Sequence, residues 1–120
     1  MQCKQLIVIV SVVLASLLVT KVNAQSPPLR LQTLFTGAAK CLDIINDGAN
    51  NQLTMAACGN VAGQFWQIEP AELLGYFRLR TLFTGAGKCL DIINDGANNQ
   101  LIMAACGNVA GQFWNLSQTP

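Results

Sequence analysis

The sequence contains no histidine. Histidine is the commonest general base near neutral pH, so its absence excludes histidine-dependent catalytic triads and most zinc sites. Asp43 and Asp47 are close in the chain, but nothing in the surrounding sequence indicates the tuned environments that a glycosidase carboxylate pair requires. We therefore expect a protein that is not an enzyme and that binds no cofactor.

Charged residues are also scarce, at 11% of the chain. Seven Lys and Arg residues face six Asp and Glu residues, and beyond residue 24 the balance is five against six. Binding to nucleic acid requires a basic stripe that neutralises phosphates, and no such stripe is present. Nucleic acid is therefore not an expected partner.

The chain has a single long apolar run, residues 6–19. It is shorter than the about 20 residues that a bilayer-spanning helix needs. Lys4 precedes the run, and Val22-Asn23-Ala24 places small residues at the spacing that a signal peptidase reads. We expect residues 1–24 to be a signal peptide and residues 25–120 to form a secreted domain that has no membrane association after cleavage.

Close cysteine pairs of the Cys-x-x-Cys type are absent, which disfavours a four-thiolate zinc site. Four cysteines remain after the expected cleavage, and in an oxidising compartment they can form two disulfides in three pairings. The chain contains two copies of a repeat, and each copy holds two of these cysteines. Because the copies should fold alike, we favour Cys41–Cys58 and Cys89–Cys106, which are each separated by seventeen residues. The chain-entropy model gives about 3 kcal/mol for each such disulfide.

What the chain does contain is a long repeat with a period of 48 residues. Residues 33–66 and 81–114 differ only where Ala39 and Thr54 become Gly87 and Ile102. A fixed period of this size indicates units that cannot bury their apolar faces alone. We place the first repeat at 29–70 and the second at 77–118.

Each repeat has the pattern of four short strands and no helix. Apolar residues mostly alternate along 77–83, as in a strand with one buried face. Asn46-Asp47-Gly48 predicts a tight turn after a strand at 41–45, because Asn and Gly tolerate positive φ. Two more strands are predicted at 53–58 and 65–68. The expected fold class is therefore all-β.

Each repeat closes on a Gln-x-Trp motif, Gln64-Phe65-Trp66 and then Gln112-Phe113-Trp114. Both motifs follow a Lys-Cys-Leu-Asp opening, an Asn-Asp-Gly turn, and a second cysteine before a Gly-Asn loop. On these motifs the chain resembles the ricin B-type lectin family. The resemblance implies a β-trefoil of three four-stranded units around a pseudo-threefold axis, and it implies carbohydrate as the partner.

The chain departs from this family in having two repeats instead of three. Two thirds of a barrel leaves strand edges and apolar side chains without neighbours. Three explanations are open: a third repeat lost from a truncated or misread gene product, an unusual two-unit closure, or assembly between chains. We predict a β-trefoil-like fold that is incomplete unless a homo-oligomer completes it, and three chains would supply the six units of two trefoils.

The resemblance also implies which residues bind sugar. The aspartate of each opening motif would accept hydrogen bonds from sugar hydroxyls, since a carboxylate offers two charged acceptors. The alternative is that it caps the following turn or satisfies backbone amides. Polar loops on a rigid scaffold often take part in recognition, although turns need the same residue types. The candidate ligand-binding residues are Asp43, Gln64, Asn46, Asn51, Asp91, Gln112, Asn94 and Asn99.

The two motif glutamines have two interpretations, as sugar contacts or as residues that orient the aspartate. The two motif tryptophans, Trp66 and Trp114, are expected in the core. The ring that often stacks on sugar in this family stands two residues before the second cysteine, where this chain has Ala56 and Ala104. The family's stacking contact therefore does not carry over.

No metal site is expected. Asp43, Asp47 and Gly48 match positions one, five and six of an EF-hand loop, but Ile45 and Thr54 stand where oxygen ligands are required. Asn115 opens an N-glycosylation sequon. The leading hypothesis is a secreted lectin-like module with one shallow sugar site per repeat. The alternative is a trefoil fragment without a sugar site, acting as a protein-interaction or structural module.

Overall fold

A computed structural model describes residues 27–117, and the predicted signal peptide at 1–24 lies outside them. The described part confirms the all-β prediction. Its strands are β1 (Lys40–Ile44), β2 (Leu53–Ala57), β3 (Trp66–Pro70), β4 (Phe77–Thr81), β5 (Lys88–Ile92) and β6 (Leu101–Ala105). Four short 3₁₀ turns lie at Gly37–Ala39, Ala62–Gln64, Gly85–Gly87 and Ala110–Gln112. Residues 27–117 contain no helix that is long and apolar enough to cross a membrane.

The strands form three antiparallel hairpins, β1–β2, β3–β4 and β5–β6. In the first hairpin, Asp43 pairs with Thr54 across the sheet. The Asn-Asp-Gly segment forms the predicted turn, with Gly48 at a φ of 91° and Asn50 at 55°. Asp47 fixes this turn, because its Oδ1 accepts a hydrogen bond from the Asn50 backbone N–H at 2.9 Å.

The central hairpin β3–β4 joins the two repeats, and one isolated bridge extends it on each side. Leu29 bridges to Trp66 in β3, and Phe77 in β4 bridges to Trp114. The order across this surface is therefore the Leu29 segment, β3, β4 and the Trp114 segment. This is an arc of a barrel with two open edges, one contributed by each repeat.

The two outermost strands of the predicted eight are reduced to these single bridges. An edge strand has a neighbour on one side only, so fewer backbone groups find partners there. The strand predicted at 65–68 also begins one residue later, at Trp66. Phe65 is used by the preceding turn, where its backbone N–H donates to the Ala62 carbonyl oxygen at 3.2 Å.

The two disulfides link Cys41 to Cys58 and Cys89 to Cys106, which is the within-copy pairing favoured by the sequence. Each joins the start of the first strand of a hairpin to the residue after the second strand. Both hairpins are therefore closed covalently at the end opposite their turn.

The core lies between the repeats and contains Ile44, Trp66, Leu79, Leu90 and Met103. The Trp66 indole has no exposed surface, and its Nε1 donates to the Leu42 carbonyl oxygen at 3.0 Å. Trp114 makes the equivalent bond to Leu90 at 3.0 Å but stays partly exposed, packing against the core from outside. The expectation of a core position is therefore met fully by Trp66 and in part by Trp114, which the described residues do not cover completely.

Candidate functional site

Each repeat holds its motif aspartate through a buried glutamine. Gln64 is 1% exposed, and its Nε2 donates to Asp43 Oδ2 at 3.0 Å and to the Ala57 carbonyl oxygen at 2.9 Å. Its Oε1 accepts from the Gly59 backbone N–H at 2.9 Å. The other carboxylate oxygen, Asp43 Oδ1, accepts from the Ile44 backbone N–H at 2.7 Å. The carboxylate is thus fixed in one orientation.

The second repeat reproduces this arrangement. Gln112 Nε2 donates to Asp91 Oδ2 at 3.0 Å and to the Ala105 carbonyl oxygen at 2.9 Å. Gln112 Oε1 accepts from the Gly107 backbone N–H at 2.9 Å, and Asp91 Oδ1 accepts from the Ile92 N–H at 2.7 Å. The chain therefore carries two copies of one polar cluster.

The glutamine geometry favours one of its two sequence interpretations. Both Nε2 hydrogens of Gln64 are used inside the protein, and the side chain is buried. A primary amide has only two donors, so none is left for a ligand. Gln64 and Gln112 are placed to orient Asp43 and Asp91.

A glycine beside each aspartate makes this approach possible. A Cβ added at Gly63 would lie 2.3 Å from Asp43 Oδ1, and one added at Gly111 would lie 2.3 Å from Asp91 Oδ1. Contacts this short do not occur between real atoms, so any larger residue would displace the carboxylate. The sequence shows these glycines only as the residues that precede the two motif glutamines.

An arginine anchors the loop behind each cluster. Arg30 donates from Nη2 to the Gly59 carbonyl oxygen at 3.1 Å, and Arg78 donates from Nη2 to the Gly107 carbonyl oxygen at 2.7 Å. Arg78 also forms a salt bridge with Glu72. The hydrogen bonds from Arg78 hold the pKa of the Glu72 carboxyl below its ordinary value.

The first aspartate lies on a shallow cleft of about 280 Å³. Its walls come from three parts of the chain. Asp43 and Asn46 contribute from the end of β1 and its turn, and Val61 contributes from the loop before the Gln-x-Trp motif. The third wall is Phe83, which belongs to the second repeat.

The second aspartate lies on a wider cleft of about 590 Å³. Asp91, Asn94 and Val109 occupy the places of their first-repeat counterparts, and Asn98 also lines this cleft. No aromatic residue lines it in the described chain. The two clefts thus share an aspartate, an asparagine and a valine, and they differ in Phe83 of the first and Asn98 of the second.

The remaining predicted residues lie elsewhere. Asn51 and Asn99 line a gap of about 490 Å³ between the β1–β2 and β5–β6 hairpins rather than either cleft. Asn51 has a structural contact there, because its carbonyl oxygen accepts from the Met103 N–H at 2.8 Å. The structure therefore brings Asn46 together with Asp43 and Asn94 with Asp91, but it does not bring Asn51 or Asn99 to them.

Sequence reasoning missed Phe83 and Val61 in the first cleft, and Val109 and Asn98 in the second. The 48-residue period shows that Phe83 has a counterpart in the first repeat. It does not show which repeat's cleft Phe83 lines. Ala56 stands opposite Cys41 in the β1–β2 register and brings no ring to the cleft. Phe83 is the aromatic residue that does line it.

Within residues 27–117 no group of three or more His, Cys, Asp or Glu side chains is arranged to hold a metal ion. The polar groups of each cleft are one carboxylate and neutral amide side chains. Such a set can accept hydrogen bonds from, and donate them to, a neutral polar ligand.

Comparison with known proteins gives one match. The family model described as ricin-type beta-trefoil lectin domain matches residues 29–120, and it denotes a carbohydrate-binding, non-catalytic module. No curated protein and no solved structure matches the chain. The match covers both repeats, both disulfides and both aspartate–glutamine clusters, and the chain therefore belongs to the ricin-type β-trefoil lectin family.

Proposed function

We propose that the protein is a secreted lectin-like module with one shallow sugar site in each repeat, centred on Asp43 and Asp91. The observation that carries the proposal is the carboxylate held by a buried glutamine on the wall of an open cleft, present twice with the same hydrogen bonds. A carboxylate fixed before the ligand arrives loses little conformational freedom on binding.

The chemistry of the clefts supports a sugar as the ligand class. Each aspartate oxygen accepts one hydrogen bond inside the protein, and a carboxylate oxygen has a second lone pair. Two charged acceptors side by side match vicinal hydroxyl donors. Asn46 and Asn94, at the rim, supply amide groups that can donate to or accept from a further hydroxyl.

The repeat supports a functional reason for two sites. A single shallow site binds sugar weakly, and a second site on the same particle raises the effective concentration for a multivalent glycan. The proposal places the protein outside the cell, in agreement with two disulfides and with the leader expected at residues 1–24.

A glycan array with matched variants tests the proposal. The labelled mature protein is compared with the double variant Asp43→Asn, Asp91→Asn and with the control Asp47→Asn, Asp95→Asn. The control removes the same charge from turn residues whose Oδ1 accepts only a local backbone N–H, a bond that asparagine keeps. Loss of a charged acceptor should weaken binding by about tenfold or more per site.

The expected result is glycan binding by the parent and the control, and loss of that binding in the double variant. Circular dichroism of the double variant must show the parent's spectrum. Binding by the double variant that equals the control, or no binding by the parent to any glycan, would contradict the proposal.

A further inference from the structure

Two identical phenylalanines occupy very different environments. Phe83 lines the Asp43 cleft and is 37% exposed. Phe35, its counterpart 48 residues earlier, is 98% exposed, and the preceding Leu34 is 103% exposed. Two adjacent large apolar side chains in full contact with water are costly, and in a soluble protein such a patch marks a contact surface. The first repeat therefore carries an exposed counterpart of the phenylalanine with which the second repeat lines the Asp43 cleft.

The clefts show the complementary difference. The Asp43 cleft, with Phe83 in it, measures about 280 Å³, and the Asp91 cleft, with no ring, measures about 590 Å³. Six lining residues are equivalent in the two clefts, and the Asp91 cleft has Asn98 as a further lining residue. The Asp91 cleft thus lacks the ring that Phe35 would supply if a first repeat stood beside it.

Beyond the β3–β4 pairing, the hydrogen bonds between the repeats run in one direction. The second repeat donates to the first through the Leu82 N–H to the Phe65 carbonyl oxygen at 3.0 Å and through the Met103 N–H to the Asn51 carbonyl oxygen at 2.8 Å. Lys88 Nζ likewise donates to the Ala49 carbonyl oxygen at 2.6 Å. The equivalent donors of the first repeat are Leu34, Met55 and Lys40, and the equivalent acceptors of the second are Phe113, Asn99 and Ala97.

These equivalent groups have the residue types that the internal interface uses, because the repeats are nearly identical. Lys40 is exposed where Lys88 is half-buried, which agrees with an interface that is formed at one repeat and open at the other. The donor face of a first repeat is therefore complementary to the acceptor face of a second repeat, by the contacts already made within the chain.

We propose that a second copy of this chain covers the open edges, and that Phe35 of one copy forms the aromatic wall of an aspartate cleft in another copy. The interface is heterologous, and it closes at three units around the pseudo-threefold axis of the trefoil. The complete sugar site is then shared between chains.

Closure constrains how the copies meet. A trefoil barrel has three unit positions, and the two linked repeats of one chain fill two of them. A partner chain also has two repeats, so it can fill the remaining position only if its repeats belong to different barrels. The linker between β3 and β4, residues 71–76, can span about 20 Å when extended. Three chains supply six repeats, which is the number that two complete barrels need, and the near-identity of the repeats makes them interchangeable.

The consequence for ligand binding rests on the proposed function. The flat face of a phenylalanine can pack against the C–H groups of a sugar, a contact that the alanines at 56 and 104 cannot make. In the assembled particle every aspartate cleft would have such a ring. In a lone chain, residues 27–117 place such a ring in the Asp43 cleft and none in the Asp91 cleft.

Photocrosslinking without any sugar tests the interface. Benzoyl-phenylalanine replaces Phe35, and ¹⁵N-labelled and unlabelled chains are mixed, refolded and irradiated. The matched control carries the same group in place of Leu74, which is also 98% exposed. The expected product joins Phe35 of one chain to a peptide around Val61 or Val109 of another, identified by mixed isotope composition. The control should not give this product.

Crosslinks confined to one chain, or interchain crosslinks to other peptides only, would overturn the proposal. A second variant, Phe35→Ala, should lower the assembled fraction in sedimentation velocity at least tenfold, and an unchanged assembled fraction would also overturn it. The outcome is independent of the glycan array. Crosslinking without glycan binding would retain the shared interface and reject the sugar function, and glycan binding without crosslinking would do the reverse.

Discussion

At the scale of single residues, the site depends on an aspartate and on an adjacent glycine and buried glutamine about twenty residues later in the chain. The glutamine satisfies three internal partners and fixes the carboxylate, so that one side chain provides both loop stability and site geometry. Gly63 contributes by its lack of a side chain, since the carboxylate of Asp43 occupies the place of a Cβ.

A glycine pair in one loop tests this geometry. Gly63→Ala forces a contact of 2.3 Å with Asp43 Oδ1, whereas a Cβ at Gly59 meets nothing within 4 Å. We expect Gly63→Ala to lower the free energy of unfolding by about 1–3 kcal/mol, as overpacking does. Gly59→Ala should change it by less than about 0.5 kcal/mol. Urea unfolding measures both values, and equal effects would show that the close approach is not required.

The aspartates and glutamines could be located from the sequence, because the Cys-Leu-Asp and Gln-x-Trp motifs recur at a fixed spacing. The role of Gly63 could not, because it depends on how closely a loop approaches a strand twenty residues away in the chain. Asn51 illustrates the converse. Its residue type and its nearness to Asp43 in sequence suit a sugar site, but Asn51 lies in the gap between the hairpins.

At the scale of elements, the hairpins follow from local turn chemistry and from the disulfides. The Asn-Asp-Gly turn and the cysteine spacing predict β1–β2 and β5–β6, which are both present. The outermost strands were predicted from the alternation at 77–83 and the apolar segment at 65–68, carried over by the 48-residue period. They are reduced to bridges at Leu29 and Trp114, where an edge strand has a neighbour on one side only.

Removing one disulfide tests how far each hairpin depends on its covalent closure. The double variants Cys41→Ser, Cys58→Ser and Cys89→Ser, Cys106→Ser each open a link between residues seventeen apart. We expect each to lower the free energy of unfolding by about 3 kcal/mol, since the unfolded chain gains the same freedom in both cases. Thermal and urea unfolding provide the measurement. Retention of the parent's stability by either variant would contradict it.

At the scale of the whole molecule, the two nearly identical repeats have different burial patterns. Leu79, Leu90 and Met103 are buried in the second repeat, whereas their counterparts Leu31, Leu42 and Met55 are only half-buried. Trp66 and Ile44 show the opposite pattern, being buried in the first repeat and more exposed in the second. The difference comes from the neighbour that each repeat has, and it identifies the two edges at which a third unit would fit.

The mass of the mature protein in solution, measured by sedimentation velocity across a range of concentrations, tests the central claim that these edges are closed by other copies. The account predicts a particle of three chains, in which Phe35 and Trp114 are removed from water. A compact monomer of a single chain at every concentration would contradict it.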